Sequence, residues 1–192
     1  TAGHGIVHAE APTKEFVKKG GTLEGIQLWL NLPAKDKLMS PNYQHLEAAQ
    51  IPKIFSEDQK VQLNVIAGNQ KDQTGLIKTQ TTVNVFTAVA QENGMLDVDI
   101  PQNHQSLIYV LEGTVLVNDT EVLKKGENQM IVFNQDGNSI HFKAKTTSTI
   151  LILSGEPILE KVTQYGPYVM NTQTEILEAM RDYQKGKMGH LY

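Results

Sequence analysis

Ser106-Leu-Ile-Tyr-Val-Leu-Glu-Gly-Thr-Val-Leu-Val117 is the stretch that decides the fold class. Two short runs of aliphatic, β-branched and aromatic residues, Ser106–Leu111 and Thr114–Val117, flank a Glu112-Gly113 turn signal, the pattern of two strands joined by a tight connection. Similar runs follow on either side: Val61–Val65, Thr82–Ala90 and Met95–Ile100 before it, Met130–Phe133, Ser139–Lys143 and Thr149–Leu153 after it. Glu92-Asn93-Gly94, Lys125-Gly126 and Asp136-Gly137 separate them as turns. Strands at this spacing predict an all-β sandwich or barrel, with a jelly roll as the natural closure. Such closure removes exposed sheet edges and leaves an interior wide enough for a ligand.

Outside this core the pattern changes twice. Ile26, Leu28, Leu30 and Leu32 alternate with Gln27, Trp29 and Asn31, which predicts a half-buried strand stopped by Pro33. Lys35 to Gln59 is polar and proline-punctuated, and reads as a connection. After Pro157, Thr172 and Glu175 form a capping-box signature. Ile176, Leu177, Met180 and Tyr183 then recur at helical spacing before Gly186, predicting an amphipathic helix over Gln173 to Lys185 whose apolar stripe packs rather than binds a cofactor.

The first ten residues, Thr-Ala-Gly-His-Gly-Ile-Val-His-Ala-Glu, carry His8-x-Glu10. In an extended chain residues two apart point the same way, so an imidazole and a carboxylate could aim at one point, half of a metal site. Iron, manganese and zinc sites usually take three or four protein ligands, so the rest must come from elsewhere. On spacing alone the plainer reading is a surface histidine beside a solvated carboxylate. His4 reads as an exposed turn residue, with hydrogen bonding in a pocket as its alternative role.

Composition narrows the function classes. The 192 residues are 40% hydrophobic, enough for one full core and part of another. A net charge of −4, with lysines only in scattered pairs such as Lys18-Lys19 and Lys124-Lys125, argues against direct nucleic-acid binding. No apolar run approaches the length of a membrane span and no signal peptide is visible. Zero cysteines excludes disulfides and thiol catalysis and is compatible with a cytoplasmic protein.

Three stretches share one resemblance. Thr1-Ala-Gly-x-Gly-x-x-His-x-Glu10, Gln27-Leu-Trp-x-Asn-Leu-Pro33 with Pro41-Asn-Tyr-Gln44, and Tyr165-Gly-Pro-Tyr-Val-Met-Asn-Thr172 with Asp182-Tyr-Gln-Lys-Gly186 closely resemble the pirin family. Pirins are double-barrel cupins with one metal site, three histidines and a glutamate, in the first barrel. The resemblance makes His8 and Glu10 the third histidine and the glutamate. The other two histidines lie in an upstream His-x-His segment, and the histidines here are the isolated His4, His8, His45, His104, His141 and His190. The chain is therefore expected to lack the first part of barrel one. Residues 1–45 would be the barrel-one remnant carrying half of the site, 46–160 a C-terminal cupin barrel without metal, and 161–192 a tail and helix packing back on the first barrel.

Leu111-Glu112-Gly113 matches the Leu-Glu-Gly turn that cupins place after their first metal motif. The stretch before it holds His104 without an i+2 partner, so a His104–His141 metal pair is the less favoured alternative to a structural second barrel.

Two functions follow from the resemblance. Three imidazoles and a carboxylate suit non-haem Fe(II), or another divalent metal, and some pirins cleave the flavonol quercetin with dioxygen. In that reading, a quercetin 2,3-dioxygenase, Glu10 is both a ligand and a candidate base for the flavonol hydroxyl. The alternative is a metal-containing regulator that binds transcription factors or metabolic enzymes without turnover.

Overall fold

The computed structural model describes residues 1–191 and divides the chain into two compact units, Gln44–Pro157 and a second one formed by Thr1–Tyr43 with Ile158–Tyr192.

The central unit is built from strands. β1 (Lys53–Phe55), β2 (Val61–Ala67), β3 (Asn69–Gln70), β4 (Gln73–Thr74), β5 (Val83–Ala90), β6 (Met95–Asp99), β7 (Gln105–Glu112), β8 (Thr114–Val117), β9 (Glu121–Lys124), β10 (Met130–Val132), β11 (Ser139–Ala144) and β12 (Ser148–Gly155) follow in order. One sheet runs β1-β2-β5-β12-β7-β10 and the other β6-β11-β8-β9, with every neighbouring pair antiparallel. Strand residues alternate between buried and partly exposed along β2, β8 and β11, as the period-two pleat requires. Both sheets point their buried sides into one core, where Phe86, Ile108 and Ile152 of the first meet Val115, Leu123 and Phe142 of the second. The interior that a jelly roll could leave open is filled here with aliphatic and aromatic side chains.

The turn between β7 and β8 shows why glycine stands at its apex. Gly113 has φ +83°, and a Cβ there would lie 2.3 Å from both the Thr147 carbonyl oxygen and Ser148 Oγ.

The other unit holds helix α1 (Lys14–Lys19), strands β13 (Thr163–Tyr165) and β14 (Tyr168–Met170), and helix α2 (Gln173–Gln184). α1 starts at Thr13, whose hydroxyl accepts from the Phe16 amide at 3.2 Å. β13 and β14 pair around the Gly166-Pro167 turn. α2 begins with the capping box read from the sequence: Thr172 Oγ1 accepts from the Glu175 amide, and Glu175 Oε2 accepts from the Thr172 amide at 2.7 Å. Of its predicted apolar stripe only Ile176 is fully buried, while Leu177 and Tyr183 stay about half exposed.

The strand expected over Ile26–Leu32 is not formed. Residues 20–33 have no regular structure, and Leu28 and Trp29 are 45% and 60% exposed. Among the described residues no strand pairs with this segment, and alternation of side chains cannot substitute for a neighbour that satisfies the backbone N–H and C=O groups.

Candidate metal centre

His8 and Glu10 lie on chain without regular structure, His8 one residue past the point where the Val7 amide donates to the Met188 carbonyl at 2.9 Å. The two-residue spacing brings His8 Nδ1 to 3.8 Å from Glu10 Oε1, with the side chains 63% and 72% exposed. A neutral imidazole and a carboxylate are a suitable start for a divalent-metal donor set, and nothing covers them here. They fit two positions of such a set. Among the described residues no group of three or more His, Cys, Asp or Glu side chains comes together, so this chain adds no third donor of that kind beside them. His4 is exposed; its amide donates to the Met39 carbonyl at 2.9 Å.

In the central unit the structure places His104 and His141 on separate partners. His104, just before β7, is 3% exposed, and its Nδ1 lies 3.0 Å from Ser154 Oγ on β12. Ser154 Oγ in turn accepts from Asn84 Nδ2 on β5, directly opposite it in the ladder. Burial pushes the His104 imidazole below its usual pKa, with the Glu156 carboxylate pulling the other way. His141, on β11, pairs across the sheet with Asp97 of β6, Nδ1 to Oδ1 at 2.8 Å. Each imidazole is thus committed to a local structural partner. An open depression of about 280 Å³ along Gly68–Val83 has Lys78 as the titratable side chain in its lining, and so offers no acid–base pair or metal donor set.

Sequence reasoning missed a polar cluster in the unit that also holds His8 and Glu10. Lys37, 5% exposed, donates from Nζ to Asn31 Oδ1 at 2.6 Å and to the Val169 carbonyl at 3.1 Å. Burial lowers its pKa, while the Glu160 and Glu175 carboxylates raise it. Glu160 Oε2 accepts from the Ala34 amide at 2.7 Å and from Asn171 Nδ2 at 3.0 Å. The Thr172 hydroxyl and the Thr172 and Asn171 amides hold the Glu175 carboxyl below the ordinary range. No local signal marks Lys37, since lysine is among the residues most often solvated.

Two antiparallel sheets closed over one apolar core, with a Leu-Glu-Gly turn between β7 and β8, define a cupin. Residues 85–189 match the family model described as the pirin C-terminal cupin domain, and the chain belongs to the pirin family. It is 36% identical, over 97% of its length, to a Pseudomonas aeruginosa protein named "Putative quercetin 2,3-dioxygenase". It is 32% identical, over 98% of its length, to the pirin of Homo sapiens. These alignments cover 64% and 63% of the two relatives, so the chain spans less than two thirds of their length. A crystal structure of quercetin 2,3-dioxygenase from Acinetobacter baumannii superposes with a TM-score of 0.80 at 35% identity, covering 85% of this chain and 56% of that one.

Proposed function

We propose that this chain is part of a flavonol 2,3-dioxygenase of the quercetin type, with His8 and Glu10 as two ligands of a non-haem Fe(II) and two further imidazoles supplied from outside these 192 residues. The observation that supports this reading most is the proximity of an exposed imidazole and carboxylate, 3.8 Å apart, in a chain similar along nearly its whole length to a protein named for that activity. The same donors accept other divalent ions, and the softness of the set favours iron over magnesium or calcium. A ferrous ion, when bound, supplies Lewis acidity toward the flavonol oxygen and redox chemistry toward dioxygen. The part of this chain is to orient and to take a proton. Glu10 Oε1 faces His8, so the carboxylate keeps acceptor capacity for the flavonol hydroxyl proton. Removing that proton makes the ring electron-rich enough to react with dioxygen.

The test uses a longer polypeptide, in which the upstream His-x-His segment that the family resemblance implies precedes this sequence. After anaerobic Fe(II) loading, about one iron per chain and oxygen uptake with quercetin are expected, and Glu10→Gln should lower kcat about 100-fold or more with an unchanged circular dichroism spectrum. An iron-loaded, folded protein that takes up no oxygen with quercetin would sink the enzyme reading and leave the regulator.

A further inference from the structure

The backbone that presents His8 and Glu10 runs along a track made by other parts of the same unit. The Thr1 nitrogen donates to the Asn42 carbonyl at 2.8 Å, and the Asn42 amide returns a bond to the Thr1 carbonyl at 3.0 Å. The His4 amide bonds the Met39 carbonyl and the Val7 amide the Met188 carbonyl, both at 2.9 Å. Two glycines let the chain approach this closely. A Cβ on Gly3 would lie 2.1 Å from the Met39 carbonyl oxygen, and one on Gly5 2.5 Å from Met188 Sδ.

The Met39 side of that track is itself tied to the C-terminal segment. Lys37 bonds Asn31 on its own stretch and the Val169 carbonyl 132 residues away, while Glu160 receives the Ala34 amide. An ammonium is costly to bury, and a neutral side chain of similar length would fill its space about as well. What the ammonium adds is direction: two bonds that fix where residues 31–39 lie against β14.

Resting on the reading of His8 and Glu10 as ligands, we infer that Lys37 is a positioning residue for the metal centre: by clamping residues 31–39 to Val169 it sets the Met39 carbonyl and, with Met188, the track on which His8 and Glu10 are presented. The clamp reaches the ligands through backbone alone. Residues that orient metal ligands from behind typically change metal affinity about 10- to 100-fold when altered.

Two variants approach the track from opposite sides. Lys37→Met removes the clamp, and Gly5→Ala presses on Met188 without touching Lys37. Both are made in the longer polypeptide. In the metal-free protein each should speed hydrogen exchange at the His4 and Val7 amides about tenfold or more, while the exchange of β7 stays unchanged. Fe(II) affinity, measured by competition with a chelator, should weaken about tenfold or more in both. Wild-type exchange at these amides in both variants, or wild-type iron affinity despite faster exchange, would overturn the inference. A wild-type protein that binds no iron would instead remove the ligand reading, and the exchange rates would still decide whether the clamp exists.

Discussion

Ile26–Leu32 and β7 carry comparable sequence signals and meet different fates. Both are short runs rich in aliphatic residues, alternating with Gln27, Trp29 and Asn31 in the first and unbroken from Leu107 to Leu111 in the second. β7 lies between β12 and β10, so both of its edges are paired, and Ile108 and Val110 are fully buried. Ile26–Leu32 has no neighbouring strand among the described residues, and its large side chains remain about half exposed. Alternation records which side chains favour a core; a strand exists only where another strand answers its backbone. The same contrast separates the units, for among the described residues Ile176 is the one buried apolar side chain outside Gln44–Pro157.

Hydrogen exchange gives the widest test of that contrast. Amides of β7 and β12 should exchange only through opening of the whole central unit, while those of 26–32 need no opening at all. The ratio of protection factors should be at least about 1000. Comparable protection would mean that the Ile26–Leu32 segment is paired in solution and that the contrast is wrong.

Truncating one leucine in each region sharpens the contrast. Leu63, on β2, is fully buried in the core, so Leu63→Ala should cost about 2–5 kcal/mol through lost burial and the cavity left behind. Leu28→Ala should stay within about 0.5 kcal/mol, since Leu28 sits 45% exposed in a segment without regular structure. Urea midpoints of the two variants read the difference directly. A Leu28→Ala protein as destabilised as Leu63→Ala would show that the exposed segment contributes to a core after all.

How far each element could be read from sequence follows the same logic. The strands read over Thr82–Ala90 and Ser139–Lys143 correspond closely to β5 and β11, because each is long enough for alternation to show and lies against another strand. β9, Glu121–Lys124, was missed: it is four residues long and half charged, an edge strand positioned by its pairing with β8. The two-residue β3 and β4 and the three-residue β13 and β14 are too short to hold any period. α2 was legible from its cap because a capping box is a local interaction. The His8–Glu10 proximity was legible for the same reason, since the two residues are only two apart in the chain. Lys37 was not, since apart from Asn31 the groups it answers, the Val169 carbonyl and the Glu160 and Glu175 carboxylates, lie more than a hundred positions away.

His8 is 63% exposed, whereas His104 is closed in between Ser154 and the approach to β7. Burial makes the folded-state pKa of His104 lower than its unfolded value of about 6.5. Well above pH 6.5 both states hold a neutral ring, and the group leaves stability independent of pH. As pH falls below about 6.5 the unfolded chain binds a proton that the folded one refuses, so stability drains away until the folded pKa is reached, with a slope of at most about 1.4 kcal/mol per pH unit. The geometry gives the same sign. Ser154 Oγ already accepts from Asn84, and its own proton is suited to a ring nitrogen that accepts; a protonated His104 offers a second donor there instead. The urea midpoint of the central unit should therefore fall between pH 7.5 and 5.5. In His104→Gln, whose amide can still meet Ser154 without titrating, that fall should shrink. Curves for the two proteins that drop in parallel would assign the acid sensitivity elsewhere and show that enclosure of this imidazole costs the fold nothing.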